Sequence, residues 1–207
     1  MKTLLIVESP NKSAAVAALA APALKGTVQV WACLGHLRDL PAETLGVDLA
    51  GGFRPAYAVT ARRTETVAAL RKKIQAADRV LLATDPDREG EAIAWHITEV
   101  CAAELQGKKV ARASFTSITA AVVQQAVRRP RKLDERLTQA AVARRVLDRL
   151  VGYFVSPRLQ TAALKKLSGG QGLSAGRVQT AALRLLVEHD RQAAVRLPDT
   201  WTVEAEF

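Results

Sequence analysis

Short apolar runs alternate with amphipathic stretches along the chain as far as Thr119. The apolar runs, rich in leucine and β-branched residues, predict strands at residues 4–7, 27–31, 57–59, 80–83 and 110–115. Between them, apolar residues recur at helical spacing over residues 12–19, 65–75 and 91–105. Because this order repeats the βαβ unit, the sequence predicts an α/β fold with a mainly parallel sheet flanked by helices. Active residues are then expected at the carboxyl ends of the strands.

The strand pattern stops after Arg128. Residues 133–150 and 180–194 predict long helices, separated by a polar, glycine-rich loop at 168–172. The final residues, 200–207, alternate apolar and polar side chains as a strand does. The predicted division is therefore an α/β domain at 1–125, a mainly helical module at 126–196 and the start of a further strand region at 197–207.

The chain is strongly basic, since 30 Lys and Arg against 20 Asp and Glu give a net charge of +10. Most of this excess lies between residues 128 and 166. It favours a polyanionic partner such as DNA, with a basic but inert surface as the alternative. No segment is long and apolar enough to cross a membrane and none has the pattern of a signal peptide, so we expect a cytoplasmic protein. Cys33 and Cys101 lack metal-ligand spacing and are expected to be buried thiols.

Acidic residues cluster where a predicted strand meets a predicted helix. Asp85, Asp87 and Glu89 alternate directly after the apolar run at 80–84. Glu8 follows the first strand, and parallel strands bring such ends to one edge of a sheet. Oxygen ligands of this kind suit Mg²⁺, which often bridges protein carboxylates to a phosphate. Glu8 is therefore a candidate metal ligand or general acid, with a pKa raised by its acidic neighbours.

Two other interpretations of the acidic run compete with a Mg²⁺ site, and the first of them, an EF-hand, fails. An EF-hand has the same acid spacing, but His96 stands where that loop requires a glutamate, and the preceding segment is predicted as strand instead of helix. The second alternative is a solvated acidic turn that caps a helix N-terminus.

Five segments together resemble the type IA DNA topoisomerases, the family of bacterial topoisomerase I. They are LIVESPNKS at 5–13, GHLRDLP at 35–41, ATDPDREGEAIAWH at 83–96, ARRVLDRLVGY at 143–153 and LSAGRVQT at 173–180. The resemblance implies a Rossmann-like TOPRIM domain that binds Mg²⁺, followed by part of a helical domain that holds single-stranded DNA. It also implies cleavage, passage and religation of one strand, which relaxes negative supercoils without a nucleotide cofactor.

The resemblance assigns roles to individual residues. It implies a metal site at Glu8, Asp85 and Asp87 supported by Glu89. It implies that Lys12 lies beside the scissile phosphate, that Arg88 holds the scissile region, and that Glu8 also protonates the leaving 3′ hydroxyl. The DNA contacts that it implies are His36, Arg144, Arg145, Asp148, Tyr153 and the segment Ser174, Ala175, Gly176, Arg177, Val178 and Gln179.

Physical chemistry supports most of these DNA contacts. Arginine presents a planar fork that matches phosphate, and a tyrosine can stack on a base. Alternatives remain: Arg144 and Arg145 could form an exposed helix face, Asp148 could be an ordinary ion-pair partner of either arginine, and Tyr153 could belong to the core.

The chain departs from the family pattern at three points. Gln160 stands where the family usually has a tryptophan, and Ser117 where a glutamate is usual. The nucleophilic tyrosine of the family is expected beyond Phe207, because Tyr57 and Tyr153 match other positions. Two alternatives to a topoisomerase part therefore stay open: a free-standing TOPRIM nuclease or primase-like enzyme, and a non-catalytic module that binds single-stranded DNA. The sequence does not determine the oligomeric state.

Overall fold

The computed structural model describes residues 1–164, 173–193 and 204–205. Its residues group into two compact units, Met1–Val146 and Leu147–Phe207. The predicted loop at 168–172 lies outside the described residues, as does most of the predicted strand at 200–207. The domain boundaries at 125/126 and 196/197 stay a prediction.

The described residues form eight strands and seven α-helices. The strands are β1 (Lys2–Val7), β2 (Thr27–Ala32), β3 (Arg38–Asp39), β4 (Val47–Asp48), β5 (Arg54–Pro55), β6 (Ala58–Val59), β7 (Arg79–Leu82) and β8 (Lys109–Arg112). The helices are α1 (Pro10–Ala20), α2 (Thr64–Gln75), α3 (Arg88–Val100), α4 (Ala102–Leu105), α5 (Ala120–Arg128), α6 (Glu135–Leu164) and α7 (Arg177–Ala193).

The central sheet of the first unit has four parallel strands in the order β2, β1, β7, β8. Residues 3–7 of β1 are buried on both faces, as expected for a parallel strand covered by helices. On one face the core includes Leu70 and Ile74 of α2 and Ile93 of α3. On the other it includes Val16 of α1 and Val123 of α5. The predicted α/β fold with flanking helices is therefore confirmed.

Several element predictions differ from the structure. The run at 57–59 does form a strand, β6, but it pairs antiparallel with β3 outside the central sheet. The helix predicted from residue 91 begins at Arg88 and is interrupted at Cys101, where α4 follows. Helix α5 was not predicted, although its apolar residues Val123 and Val127 lie one helical turn apart on a buried face.

The second unit contains the end of α6 and helix α7. Pro157 lies inside α6, where it lacks the N–H that an ordinary residue would donate. Within the described part of the chain, no helix is long and apolar enough to span a membrane. Cys33 and Cys101, both in the first unit, are free and buried as predicted, and burial raises the pKa of each thiol to about 11.

Candidate active site

The proposed acids lie where β1 and β7 end side by side. Ile6 is opposite Leu82 in the parallel register, and the Ala83 N–H donates to the Ile6 carbonyl at 2.7 Å. Glu8 follows β1 directly, and Asp85 lies three residues after the last residue of β7. The prediction that the first and fourth predicted strands open on one edge of the sheet is therefore confirmed.

The carboxyl of Glu8 is influenced by all three acids of the loop. Partial burial raises its pKa most, the charge of Asp85 raises it further, and Asp87 and Glu89 add smaller effects. Only Lys12 opposes them among the causes of this shift. Glu8 therefore retains its proton to a higher pH than an ordinary glutamate, which is the property of a general acid.

Lys12 forms an ion pair with Asp85 across the edge of the sheet. It lies in the first turn of α1, where the Asn11 N–H donates to the Ser9 side chain and Pro10 begins the helix. Its Nζ lies 2.5 Å and 2.8 Å from the two carboxylate oxygens of Asp85. The ammonium of Lys12 thus lies on a carboxylate that the sequence analysis predicts as a metal ligand.

Asp87 is the N-cap of α3. Its Oδ1 accepts from the Gly90 N–H at 2.7 Å, so the helix-capping interpretation is correct for this residue. A Cβ at Gly90 would lie 2.1 Å from the Asp85 carbonyl oxygen, which explains glycine at this close approach. Capping does not exclude a metal role, because a carboxylate can accept several bonds through two oxygens.

Glu89 contacts a histidine pair. Its Oε1 lies 2.6 Å from Nε2 of His36, whose Nδ1 lies 3.2 Å from Nδ1 of His96. His96 is buried, and burial is the main reason why its pKa falls to about 3. At neutral pH His96 is therefore uncharged. His36 lies between the exposed Glu89 and the buried His96 and contacts both.

The donor set fits magnesium. All four proposed ligands offer carboxylate oxygens, and the ammonium already on Asp85 shows that this edge accommodates positive charge. Among the described residues, no three His, Cys, Asp or Glu side chains converge closely enough to hold a metal by themselves. Mg²⁺ does not require such a cage, since it commonly uses one or two carboxylates with water and phosphate.

A cavity of ≈ 480 Å³ adjoins the acids within the first unit, and Glu8, His36 and Glu89 line it. Its other polar lining includes buried atoms without a hydrogen-bond partner among the described residues: Arg38 Nε and Nη2, Thr60 Oγ1, Arg63 Nε and His96 Nε2. Most of these are donors, so a ligand that brings acceptor atoms suits the cavity. Several residues of the GHLRDLP segment line this cavity, but the family resemblance implies a DNA contact only for His36.

Arg38 is held against aromatic rings beside the cavity. Its guanidinium carbon lies 4.5 Å from the ring centre of Trp95 and 5.3 Å from that of Tyr57. Burial raises the pKa of the Tyr57 phenol, and the charge of Asp39 adds to this effect. Tyr57 therefore keeps its proton to a higher pH than an ordinary tyrosine, and its exclusion as the nucleophile stays a prediction.

Arg145 forms a bidentate pair with Asp39 of the GHLRDLP segment. Its Nε and Nη2 lie 2.8 Å from the two carboxylate oxygens. Arg145 also lines the cavity. Its guanidinium is therefore engaged by Asp39 and does not form an exposed helix face. Arg144 is half-buried, and Arg88 is exposed at the start of α3.

The second unit brings its predicted DNA-contacting residues together. Arg177 Nε donates to Asp148 at 2.7 Å, and the Ala175 N–H donates to Ser156 Oγ at 2.9 Å. Val178 is 67% exposed. Tyr153 is 46% exposed and packs edge-on against Phe154, so it is not a core residue.

The other members of the predicted segment lie beside these. Ser174 Oγ lies 3.3 Å from Gln179 Oε1, and the Gly176 carbonyl accepts from the Thr180 N–H at 2.7 Å. Gln160, which replaces the usual tryptophan, donates to the Leu173 carbonyl at 2.7 Å. Ser117, which replaces the usual glutamate, is exposed.

Comparisons with known proteins find matches for both parts of the chain. A family model described as Toprim domain matches residues 3–118, and a model described as DNA topoisomerase matches residues 132–207. The solved structure of full-length topoisomerase I from Thermotoga maritima is 38% identical, with a TM-score of 0.78. The match covers 95% of this chain and 31% of that chain, so the chain spans about a third of the length of this relative.

Proposed function

We propose that this chain, which belongs to the type IA DNA topoisomerase family, supplies the acidic metal centre and strand-binding residues for reversible cleavage of one DNA strand. The observation that carries the proposal is the arrangement of Glu8, Lys12 and Asp85 at one edge of the sheet. It combines a proton donor, a cation for phosphate and a metal-binding carboxylate.

Toprim domains generally bind a divalent metal, and we infer that the ion is Mg²⁺. Asp85 and Asp87 would hold it together with Glu8, and Glu89 would support them. When bound, the ion would neutralise charge on the reacting phosphate and orient it.

The chain's own residues would handle the proton and the phosphate. Lys12, released from Asp85, would bind a non-bridging oxygen of the scissile phosphate. Glu8 would protonate the departing 3′ oxygen and, in religation, would accept the proton back from the 3′ hydroxyl. The nucleophile would be a tyrosine outside residues 1–207, since the resemblance places Tyr57 and Tyr153 at other positions of the family pattern.

Single-stranded DNA is the proposed substrate. Arg144 and Arg177 would neutralise phosphates. The donors in the cavity beside His36 that lack a hydrogen-bond partner would bind acceptor atoms of the strand. In the whole enzyme this cleavage would permit strand passage and relaxation of negative supercoils without ATP, because the phosphotyrosine link would conserve the energy of the broken bond.

The proposal is tested by the anisotropy of a labelled single-stranded oligonucleotide between about 50 and 200 mM salt. Arg144→Ala and Arg177→Ala should each reduce the log–log salt slope by about 0.7. Arg136→Ala, an exposed arginine in the first turn of the same α6, is the matched control and should change the slope less. Unchanged affinity and slope in both test variants would contradict the strand-binding role.

The same protein and oligonucleotide also test the alternative that the chain is a free-standing nuclease. Metal-dependent cutting of the oligonucleotide by this chain alone, abolished in Asp85→Asn, would favour that enzyme class. We expect no cutting, because the proposed nucleophile is a tyrosine outside this sequence.

A further inference from the structure

Glu91 ends the acidic motif but faces the interior. Its side chain is fully buried, whereas Asp87 and Glu89 are exposed. A carboxylate in such a place is stable only with charged and hydrogen-bonding partners. The proposed metal site and strand-binding residues give Glu91 no role, so its partners indicate what it does.

The first partner is Arg112, which is also fully buried. Its Nε lies 3.0 Å from Glu91 Oε2. Its two remaining nitrogens donate to the Leu82 and Thr84 carbonyls at 2.7 Å and 2.9 Å, and to the Asp85 carbonyl at 2.9 Å. These carbonyls belong to the end of β7 and the loop that follows it. Glu91 thus orients the arginine that fixes the backbone from which Asp85 projects.

The second partner is Arg131, which precedes α6. Its Nη1 and Nη2 lie 2.9 Å and 2.8 Å from the two oxygens of Glu91. The Asp134 N–H donates to the same carboxylate at 2.6 Å, and the Asp134 side chain accepts from the N–H groups of Arg136 and Leu137 in the first turn of α6. The buried carboxylate therefore also anchors the beginning of the helix that carries Arg144 and Arg145.

We propose that Glu91 is a positioning residue that joins the metal-binding loop to the start of α6. Through Arg112 it sets the position of Asp85 and hence the affinity for a divalent ion. Through Arg131 and Asp134 it sets the start of α6 and hence the position of Arg144 on the same helix. The inference rests on the proposed metal site and adds a residue that does not touch the ion.

The test measures free Mn²⁺ by electron paramagnetic resonance during titration of the 207-residue chain. Glu91→Gln and Arg112→Lys should weaken Mn²⁺ binding about tenfold, as loss of supporting partners does in metal sites. Arg131→Gln, whose side chain is 40% exposed, should leave Mn²⁺ affinity within about twofold and weaken single-strand binding. Arg79→Lys, at the opposite end of β7, is the matched control for Arg112→Lys and should change neither affinity.

The outcomes separate positioning from simple stabilisation. Each variant is first shown to be folded at the assay temperature by circular dichroism. A folded Arg112→Lys or Glu91→Gln with wild-type Mn²⁺ affinity overturns the link to the metal loop. An unchanged single-strand affinity in Arg131→Gln overturns the link to α6, and decides that part even if Glu91→Gln does not fold. Absence of Mn²⁺ binding by the wild-type chain overturns the proposed metal site together with the link to the metal loop, whereas the link to α6 is still decided by single-strand binding.

Discussion

The ammonium of Lys12 contacts both carboxylate oxygens of Asp85, at 2.5 Å and 2.8 Å, across the gap between α1 and the loop after β7. In this state the lysine and a divalent ion would compete for the same carboxylate. Release of Lys12 from Asp85 when metal enters would free the ammonium for a phosphate. The ion pair is thus consistent with a resting arrangement of the proposed active site.

Removal of the Lys12 charge should therefore strengthen metal binding. In Lys12→Ala we expect Mn²⁺ to bind about 1.5- to 5-fold more tightly, the range set by a partly exposed ion pair. Electron paramagnetic resonance measures the change, with Lys25→Ala at the far end of the sheet as the control. Weaker Mn²⁺ binding in Lys12→Ala would show that the lysine supports the site instead of competing for it.

Two substitutions at Asp87 should separate its capping role from its proposed metal role. Asparagine can also cap a helix, so Asp87→Asn should keep most of the stability and lose metal affinity. Asp87→Ala should lose both, with a decrease of about 1 kcal/mol in the free energy of unfolding. Urea denaturation and Mn²⁺ titration measure the two effects. Equal metal affinity in wild type and Asp87→Asn would show that Asp87 caps α3 but does not bind the metal.

The sheet was predictable because its strands have a simple signal. Residues 4–7 and 80–83 are continuous apolar runs, which buried parallel strands require. Because parallel neighbours end at the same edge of a sheet, these two runs predict that Glu8 lies near Asp85. The strand at 57–59 was assigned to the wrong sheet because a short apolar run does not encode its pairing partner.

The supporting interactions of the site could not be predicted in the same way. Glu91 differs from Glu89 in burial, not in residue type, and its partner Arg112 lies 21 residues away in the sequence. Arg38 and Thr60 similarly meet at one cavity only after β3 and β6 have paired. Such contacts depend on tertiary packing, for which local spacing contains no signal.

Gln160 should help to hold the segment before α7. Its side-chain amide donates to the Leu173 carbonyl at 2.7 Å, next to the residues proposed to bind the strand. Loss of one such bond is worth about 1 kcal/mol, so Gln160→Ala should weaken single-strand binding about fivefold. Fluorescence anisotropy provides the measurement, and Gln125→Ala, on the exposed side of α5, is the control. Equal effects of the two substitutions would remove Gln160 from the proposed strand-binding surface.

Stability should fall on acidification because of His96. Burial holds its folded pKa at about 3, against 6.5 in the unfolded chain. Below pH 6.5 the unfolded state takes up a proton that the folded state refuses, so the free energy of unfolding should decrease by up to about 1.4 kcal/mol per pH unit until the folded pKa is reached. Above pH 6.5 both states are neutral at this site, and the effect disappears.

Urea denaturation from pH 7.5 down to pH 4.5 tests this dependence on metal-free protein. His96→Gln should flatten the decrease below about pH 6.5, because glutamine does not titrate. His189→Gln is the matched control, since His189 is 79% exposed and lies in the second unit. A wild-type slope in His96→Gln would assign the acid sensitivity to other groups. A flattened slope would show that the buried histidine behind His36 is kept neutral by the fold.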